Sequence, residues 1–241
     1  VRRLAESFNG MLDRLEGAFT RQRAFVADAS HDLRTPLTIV KGQLEVLSRQ
    51  SEPTAEDVSR VSSIVAAATA RMERLVDDML LLAQAESDEG LTFEKCDLQP
   101  LFEAEIEGFT ETSDRHFVVG EVTADEVLVD RERLARVMSN LIANAVAHTG
   151  SGGTIEVSAV KAGTRVEIAV DDDGPGVPEA MRARVFDRFT RLDESRSSSQ
   201  GGSGLGLAIV KAIAEAHGGY VACLTSPLGG ARFVVSLPAG G

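Results

Sequence analysis

Apolar residues recur at steps of three and four through the first third of the chain, and the pattern changes after residue 90. Phe8, Leu12, Leu15 and Phe19 take coiled-coil spacing, and the seam continues to Val26. Two four-residue steps fall in succession around Val26, a stutter that locally unwinds a coiled coil. Leu33, Leu37, Val40, Leu44 and Leu47 then predict a helix ending near Gln50, with a buried seam beside His31 and not through it. Ser51 to Thr54 is turn chemistry, with Thr54 the expected N-cap and Asp57 three residues on. A second helix carries the heptad seam Val58, Val61, Val65, Ala68, Met72, Leu75, Met79 and Leu82. One narrow stripe per helix buries little in a lone hairpin, so pairing of two hairpins into a four-helix bundle, a homodimer, is expected.

Ser87-Asp88-Glu89-Gly90 breaks the pattern and marks the expected domain boundary. Beyond it the chain predicts helices over 98–112, 131–148 and 204–217 and a strand over 116–122. Hairpins are predicted from 154–160 with 165–170 and from 220–225 with 231–237. Strands mixed with helices, joined partly by hairpins, imply an α/β sandwich with helices on one sheet face. The expected class is therefore α+β: residues 1–19 a coiled-coil lead-in, 20–87 a helical hairpin, and 91–241 a sandwich domain.

Composition narrows the partners. The 241 residues suffice for two compact units at 43% hydrophobic content, and a net charge of -12 argues against nucleic acid as the main partner. Cys96 and Cys223, far apart in sequence, suggest a reducing compartment and no disulfide framework. No apolar run reaches the roughly 18 residues of a membrane span. The chain begins at Val1 with residues that already look helical, so a cytoplasmic fragment of something longer is expected.

Candidate chemistry lies in four places. His31 stands clear of the seam, with Asp32 beside it and Thr35 one turn along on its face. A neutral imidazole is a competent nucleophile and an adjacent carboxylate can take its proton, while Pro36 predicts a bend next to it. On the 131–148 helix, Asn140, Asn144 and His148 sit four apart on a face away from the apolar one. Asparagine is mildly unfavourable inside helices, so this is either a solvated face or an amide oxygen for Mg²⁺ shared with substrate phosphates. Asp171, Asp172 and Asp173 at a strand end are either a cation site or a plain turn, and Asp172, Gly174 and Gly176 form an Asp-x-Gly-x-Gly string. Gly202, Gly204, Leu205 and Gly206 run into a helix whose N–H groups suit anionic phosphate. No βαβ unit surrounds that string, which disfavours a dinucleotide fold.

Ser30-His31-Asp32-Leu33-Arg34-Thr35-Pro36-Leu37 closely resembles the phosphoacceptor box of sensor histidine kinases, and the resemblance covers nearly the whole chain. Asn140 to Ala145 resembles the N box of the GHKL ATPases and kinases, which implies Asn144 as the Mg²⁺ ligand and His148 near the adenine. The Asp172 string resembles the adenine box, whose carboxylate accepts from the adenine amino group, a bond that guanine's carbonyl oxygen cannot donate. Val185 to Phe189 resembles the F box, and the Ser- and Gly-rich 195–203 stretch looks like an ATP lid, with Arg191 implied to reach the γ-phosphate. Ala147 departs from the family, where many members carry Lys or Arg, and this places nucleotide affinity in question. The resemblance further implies autophosphorylation of His31 by Mg-ATP, transfer to an Asp of a response regulator receiver domain, and a water positioned by Thr35 for dephosphorylating that regulator. Leu4 to Met11 resembles the end of a HAMP linker, implying a membrane-anchored parent with a missing N-terminal sensor region. Two alternatives stand beside this reading: a GHKL ATPase of the topoisomerase or chaperone type, and a signalling dimer that binds nucleotide for shape alone.

Overall fold

Residues 29–49 form α1 and Ala55–Ala85 form α2, joined by a short turn in which the helix start is capped from both directions. The Asp57 N–H donates to Thr54 Oγ1 at 3.1 Å, and Asp57 Oδ2 accepts from the Thr54 hydroxyl at 2.7 Å and its N–H at 3.3 Å. This is a capping box with Asp in the place of Glu. The structure is a computed structural model and describes residues 26–27, 29–50, 52–85, 90–124, 126–190 and 204–239. The expected coiled-coil lead-in (Phe8, Leu12, Leu15, Phe19) and HAMP-like stretch, most of the Ser87–Gly90 break, Arg191, Gly202 and the 195–203 stretch lie outside these residues. The chain falls into two compact units divided between Asp77 and Asp78.

In the first unit burial follows a seven-residue period. Val61, Ala68 and Leu75 are buried on α2, and Leu33, Val40 and Leu47 are half-buried on α1. The expected α1 seam therefore divides, because Leu37 and Leu44 remain 57% and 49% exposed. On α2 Val58 is likewise exposed and Val65 and Met72 are only half-buried. Two helices share a single mutual face, so every second member of each seam has nothing to pack on within one chain. Pro36 is buried and α1 continues through it.

The second unit opens with β1 (Glu94–Asp97), α3 (Leu98–Thr110), β2 (His116–Val122), β3 (Glu126–Val129) and α4 (Arg131–His148). It continues with β4 (Thr154–Ala162), β5 (Arg165–Asp172), two short 3-10 turns (Glu179–Met181 and Arg184–Phe186), α5 (Gly206–Ala216), β6 (Tyr220–Thr225) and β7 (Ala231–Pro238). A five-stranded sheet has the order β2-β4-β5-β7-β6, with β2 parallel to β4 and every other pair antiparallel. A two-stranded antiparallel sheet pairs β1 with β3, Cys96 opposite Val127. Four residues per strand offer too short an alternation to be read as strands from the sequence, and neither was expected.

Register carries the core. Val157, Val170, Phe233 and Cys223 lie in one row across four strands and are all buried. Leu134, Val137, Met138, Leu141, Ile142 and Ala145 of α4, with Ile209, Val210 and Ile213 of α5, supply the helical layer. Each such Val, Leu, Ile or Met side chain contributes about 1.5–3 kcal/mol on burial. The expected helices over 98–112 and 204–217 are each shorter, ending at Thr110 and starting at Gly206. One buried imidazole ties two helix ends together. The Asp130 N–H, at the N-cap of α4, donates to His217 Nε2 at 3.0 Å, so Nδ1 carries the proton and donates to the Ile213 carbonyl at 2.8 Å.

Candidate nucleotide and phosphoacceptor sites

In the first unit His31 is on the outer surface of α1, its side chain 77% exposed. Its Nδ1 lies 3.4 Å from Asp32 Oδ1, placing a carboxylate against one ring nitrogen and leaving Nε2 to solvent. Thr35 is exposed one turn along, and its hydroxyl donates back to the His31 carbonyl at 3.4 Å. That carbonyl acceptor is the common fate of a helical threonine, and the long bond leaves the hydroxyl readily recruited elsewhere.

In the second unit the Asp172 string lies at the end of β5. Asp172 is 2% exposed, and its Oδ1 accepts from the Gly174 N–H at 2.9 Å and the Ala231 N–H at 3.0 Å. The Gly230 N–H donates to the Asp172 carbonyl at 3.1 Å. With Oδ1 committed to two backbone donors, the carboxylate is locked in rotation and Oδ2 is the oxygen left for a ligand. The corner tolerates no side chains. A Cβ on Gly230 would collide with Asp172 Oδ1 and stand 2.5 Å from the Gly174 nitrogen, and one on Gly174 would stand 2.7 Å from the His148 carbonyl. Gly230 and Ala231 are the functional residues the sequence reading missed. Gly229 and Gly230 fall in the link between the predicted strands 220–225 and 231–237 and were given no role, and the signal available was a Gly pair immediately before the last strand.

Asp171, one residue earlier, points to the opposite side of the strand. Burial pushes its carboxyl above the ordinary range, opposed by a Ser226 hydrogen bond and by Arg232, whose guanidinium lies 3.4 Å away. Asn140 and Asn144 are half-buried on α4 and His148 is exposed at its end. Asn140 Nδ2 is buried without a hydrogen-bond partner among the described residues, and its Oδ1 lies 3.1 Å from where a Cβ on Gly206 would stand. Gly206 opens α5, whose first turn has no side-chain cap. An orphaned amide donor beside uncapped helix N–H groups fits a phosphate chain. Among the described residues no cluster of three or more His, Cys, Asp and Glu could hold a metal, and the Asn144 amide oxygen has the hard-oxygen chemistry that Mg²⁺ takes.

Phe189 and Gly204, far apart in sequence, are bonded directly to each other. The Phe189 N–H donates to the Gly204 carbonyl at 2.9 Å, and Gly204 has φ +70°, with Phe189 Cα 2.9 Å from where its Cβ would be. Phe189 itself holds φ 60°, a left-handed conformation costing an aromatic residue on the order of 1–3 kcal/mol. Gly176, at φ +72°, turns the chain away from Asp172 against the Gly230 backbone. Leu205 is fully buried under α5. The structure thus brings Asn140, Asp172, Gly174, Gly204, Leu205 and Gly206 into one unit and places His31, Asp32 and Thr35 in the other.

Residues 129–241 match the family described as histidine kinase-, DNA gyrase B- and HSP90-like ATPases, and residues 21–88 match the His kinase A phospho-acceptor domain. The pair defines a class, a phosphoacceptor helical hairpin joined to a GHKL-type ATP-binding domain, and the second match removes the topoisomerase and chaperone alternative. The chain belongs to the sensor histidine kinase family. It is 38% identical over 250 residues to the probable sensor histidine kinase TcrY of Mycobacterium tuberculosis, covering 100% of this chain and 52% of that protein. It is 30% identical to the solved mycobacterial sensor histidine kinase MprB, over 62% of this chain and 99% of that one, with a TM-score of 0.54. It is 29% identical to full-length ShkA solved in complex with AMPPNP, over 88% of this chain and 45% of that one, with a TM-score of 0.64. The chain spans about half the length of the curated relatives it matches, and no helix among the described residues is long and apolar enough to cross a membrane.

Proposed function

We propose that the chain is the kinase core of a membrane-anchored sensor protein, phosphorylating its own His31 from ATP and passing the phosphoryl group to an aspartate of a response regulator. The observation that carries the reading is the Asp172 corner: a buried carboxylate locked by two backbone N–H groups, its second oxygen left to accept from an adenine amino group. The nucleotide-bound relative ShkA supports ATP as the ligand.

His31 attacks the γ-phosphorus through Nε2 while Asp32 takes the Nδ1 proton, so the imidazole ends as a neutral phosphohistidine and the leaving group is ADP. Asn140 and the first N–H groups of α5 bind the phosphate chain, and Asn144 would hold Mg²⁺ with the phosphate oxygens. Mg²⁺ supplies charge neutralisation at the phosphates. Arg191 and Gly202 complete the phosphate contacts, His148 flanks the adenine, and Ala147 leaves more of the γ-phosphate to Arg191. Thr35 orients a water for dephosphorylating the regulator, the second activity of the same helix. The functional division is 1–19 HAMP end, 20–87 dimerisation and phosphotransfer, and 91–241 ATP binding. The parent protein would place this core in the cytoplasm beneath a membrane sensor.

Incubation with γ-labelled ATP and Mg²⁺ should leave alkali-stable, acid-labile label on the wild-type chain and none on His31→Gln, with ATP affinity equal in both. Label that persists on the variant, or that resists acid, would refute the assignment. A nucleotide-binding dimer without kinase activity would bind ATP and never take label.

A further inference from the structure

One cavity in the second unit takes no part in the site above. It has a volume of about 310 Å³ and is lined by Arg182, Ala183, Phe186, Lys211, Val221 and Cys223, from α5, β6 and the two 3-10 turns. Its floor is apolar. Phe186 and Cys223 are each 6% exposed, and Phe186 packs edge-on against Phe233 with ring centroids 6.0 Å apart. Burial pushes the Cys223 thiol up to about 11, so it stays uncharged at neutral pH.

Among the described residues the charged lining is of one sign: two cations and no carboxylate. Arg182 is fixed in place, its Nε donating to the Val177 carbonyl at 3.1 Å and an Nη donating to Thr225 Oγ1 at 2.8 Å. Both acceptors are neutral, so the guanidinium charge has no counter-ion there. Lys211 is half-buried on α5 and forms no ion pair among the described residues. Half-buried cations with neutral surroundings repel one another and lose hydration, a cost that an anion between them would relieve. A chain of net charge -12 has carboxylates enough to neutralise such a pair from within, yet among the described residues none lines the cavity. The volume lies at the low end of the roughly 300–1,000 Å³ of small-molecule sites, too small for a large ligand. A planar guanidinium held by its other nitrogens suits a carboxylate head.

We propose that this cavity is a binding site for a short amphiphilic carboxylate, its apolar body on Phe186, Val221 and Cys223 and its head between Arg182 and Lys211.

The test titrates octanoate, and octanamide as its uncharged match, into the ¹⁵N-labelled 241-residue chain while following the amides of Val221, Cys223 and Lys211. Octanoate should give saturable shifts at these positions, octanamide at least tenfold weaker ones. Lys211→Met, which keeps the aliphatic stem, should weaken octanoate at least tenfold, and Lys211→Arg should restore it, with ADP affinity unchanged in both. Equal shifts from octanamide, unaltered binding to Lys211→Met, or no saturable shift at all would each overturn the proposal. Because ADP binding is read in the same samples, a failure here is distinct from a failure of the nucleotide site.

Discussion

A carboxylate gains selectivity by losing freedom, and Asp172 has lost nearly all of it. Two backbone donors take Oδ1, and Gly230 leaves no room for it to swing away. Gly230→Ala should therefore act through Asp172. Overpacking costs about 1–3 kcal/mol of domain stability, and the displaced carboxylate should lower ATP affinity at least tenfold. Calorimetry with ADP and with pyrophosphate separates the two effects, since pyrophosphate has no adenine to lose. Equal loss for both ligands would mean that the corner does not read the base. At the other site, Thr35→Ala removes only a 3.4 Å bond to the His31 carbonyl, so the helix should be unaffected. Autophosphorylation is expected within a few-fold of wild type and regulator dephosphorylation mostly lost. Parallel assays of both reactions decide this, and a joint loss would point to helix damage.

The helix starts carry their own pH signature. Asp57 has its carboxyl held below the ordinary value of 3.8, chiefly by the Thr54 hydroxyl and then by the Thr54 N–H. A carboxylate whose folded pKa is depressed contributes stability that is complete above its unfolded value and lost as the pH falls through its folded one. Asp57→Asn should accordingly lower the unfolding midpoint at neutral pH, with the difference fading below pH 3.8 as both forms become uncharged. Thermal unfolding followed at several pH values checks the sign. Asp171 has the opposite sense, since burial raises its folded pKa and its ionisation opposes folding as the pH rises. These caps, like the long helices, were legible beforehand: Thr54 with Asp57, the 131–148 helix and the 116–122 and 220–225 strands all stand where residue spacing put them. The β1–β3 ribbon was not, because its four-residue strands are defined by partners about thirty residues away. Gly230 belongs to the same group. Its role depends on Asp172, fifty-eight positions earlier, and no local pattern can announce a contact of that range.

At the scale of the molecule, the alternating heptads matter most. Leu37, Leu44 and Val58 are exposed on helices whose other stripe is buried on α2 and half-buried on α1, a cost of about 25 cal/mol per Å² of apolar surface left in water. Association of two hairpins would hide that stripe. Sedimentation at micromolar concentration should show a dimer, and Leu37→Glu with Leu44→Glu should shift it to monomer while the ATP-binding unit keeps its affinity. A wild-type monomer would contradict the four-helix bundle.

The separation of the two sites into units divided at Asp77 has a genetic consequence. Gly230→Ala and His31→Gln are lesions in different folding units, so neither masks the other and the two can be combined as alleles. In a cell carrying both, half of randomly assorted dimers would pair one chain with an intact histidine and a broken nucleotide corner with another of the reverse kind. If each ATP-binding unit serves the opposite chain, the alleles complement and label returns on the Gly230→Ala chain. If each unit serves only its own histidine, the mixed dimers stay dark, and the two mutations fail to complement although they lie in separate parts of the protein.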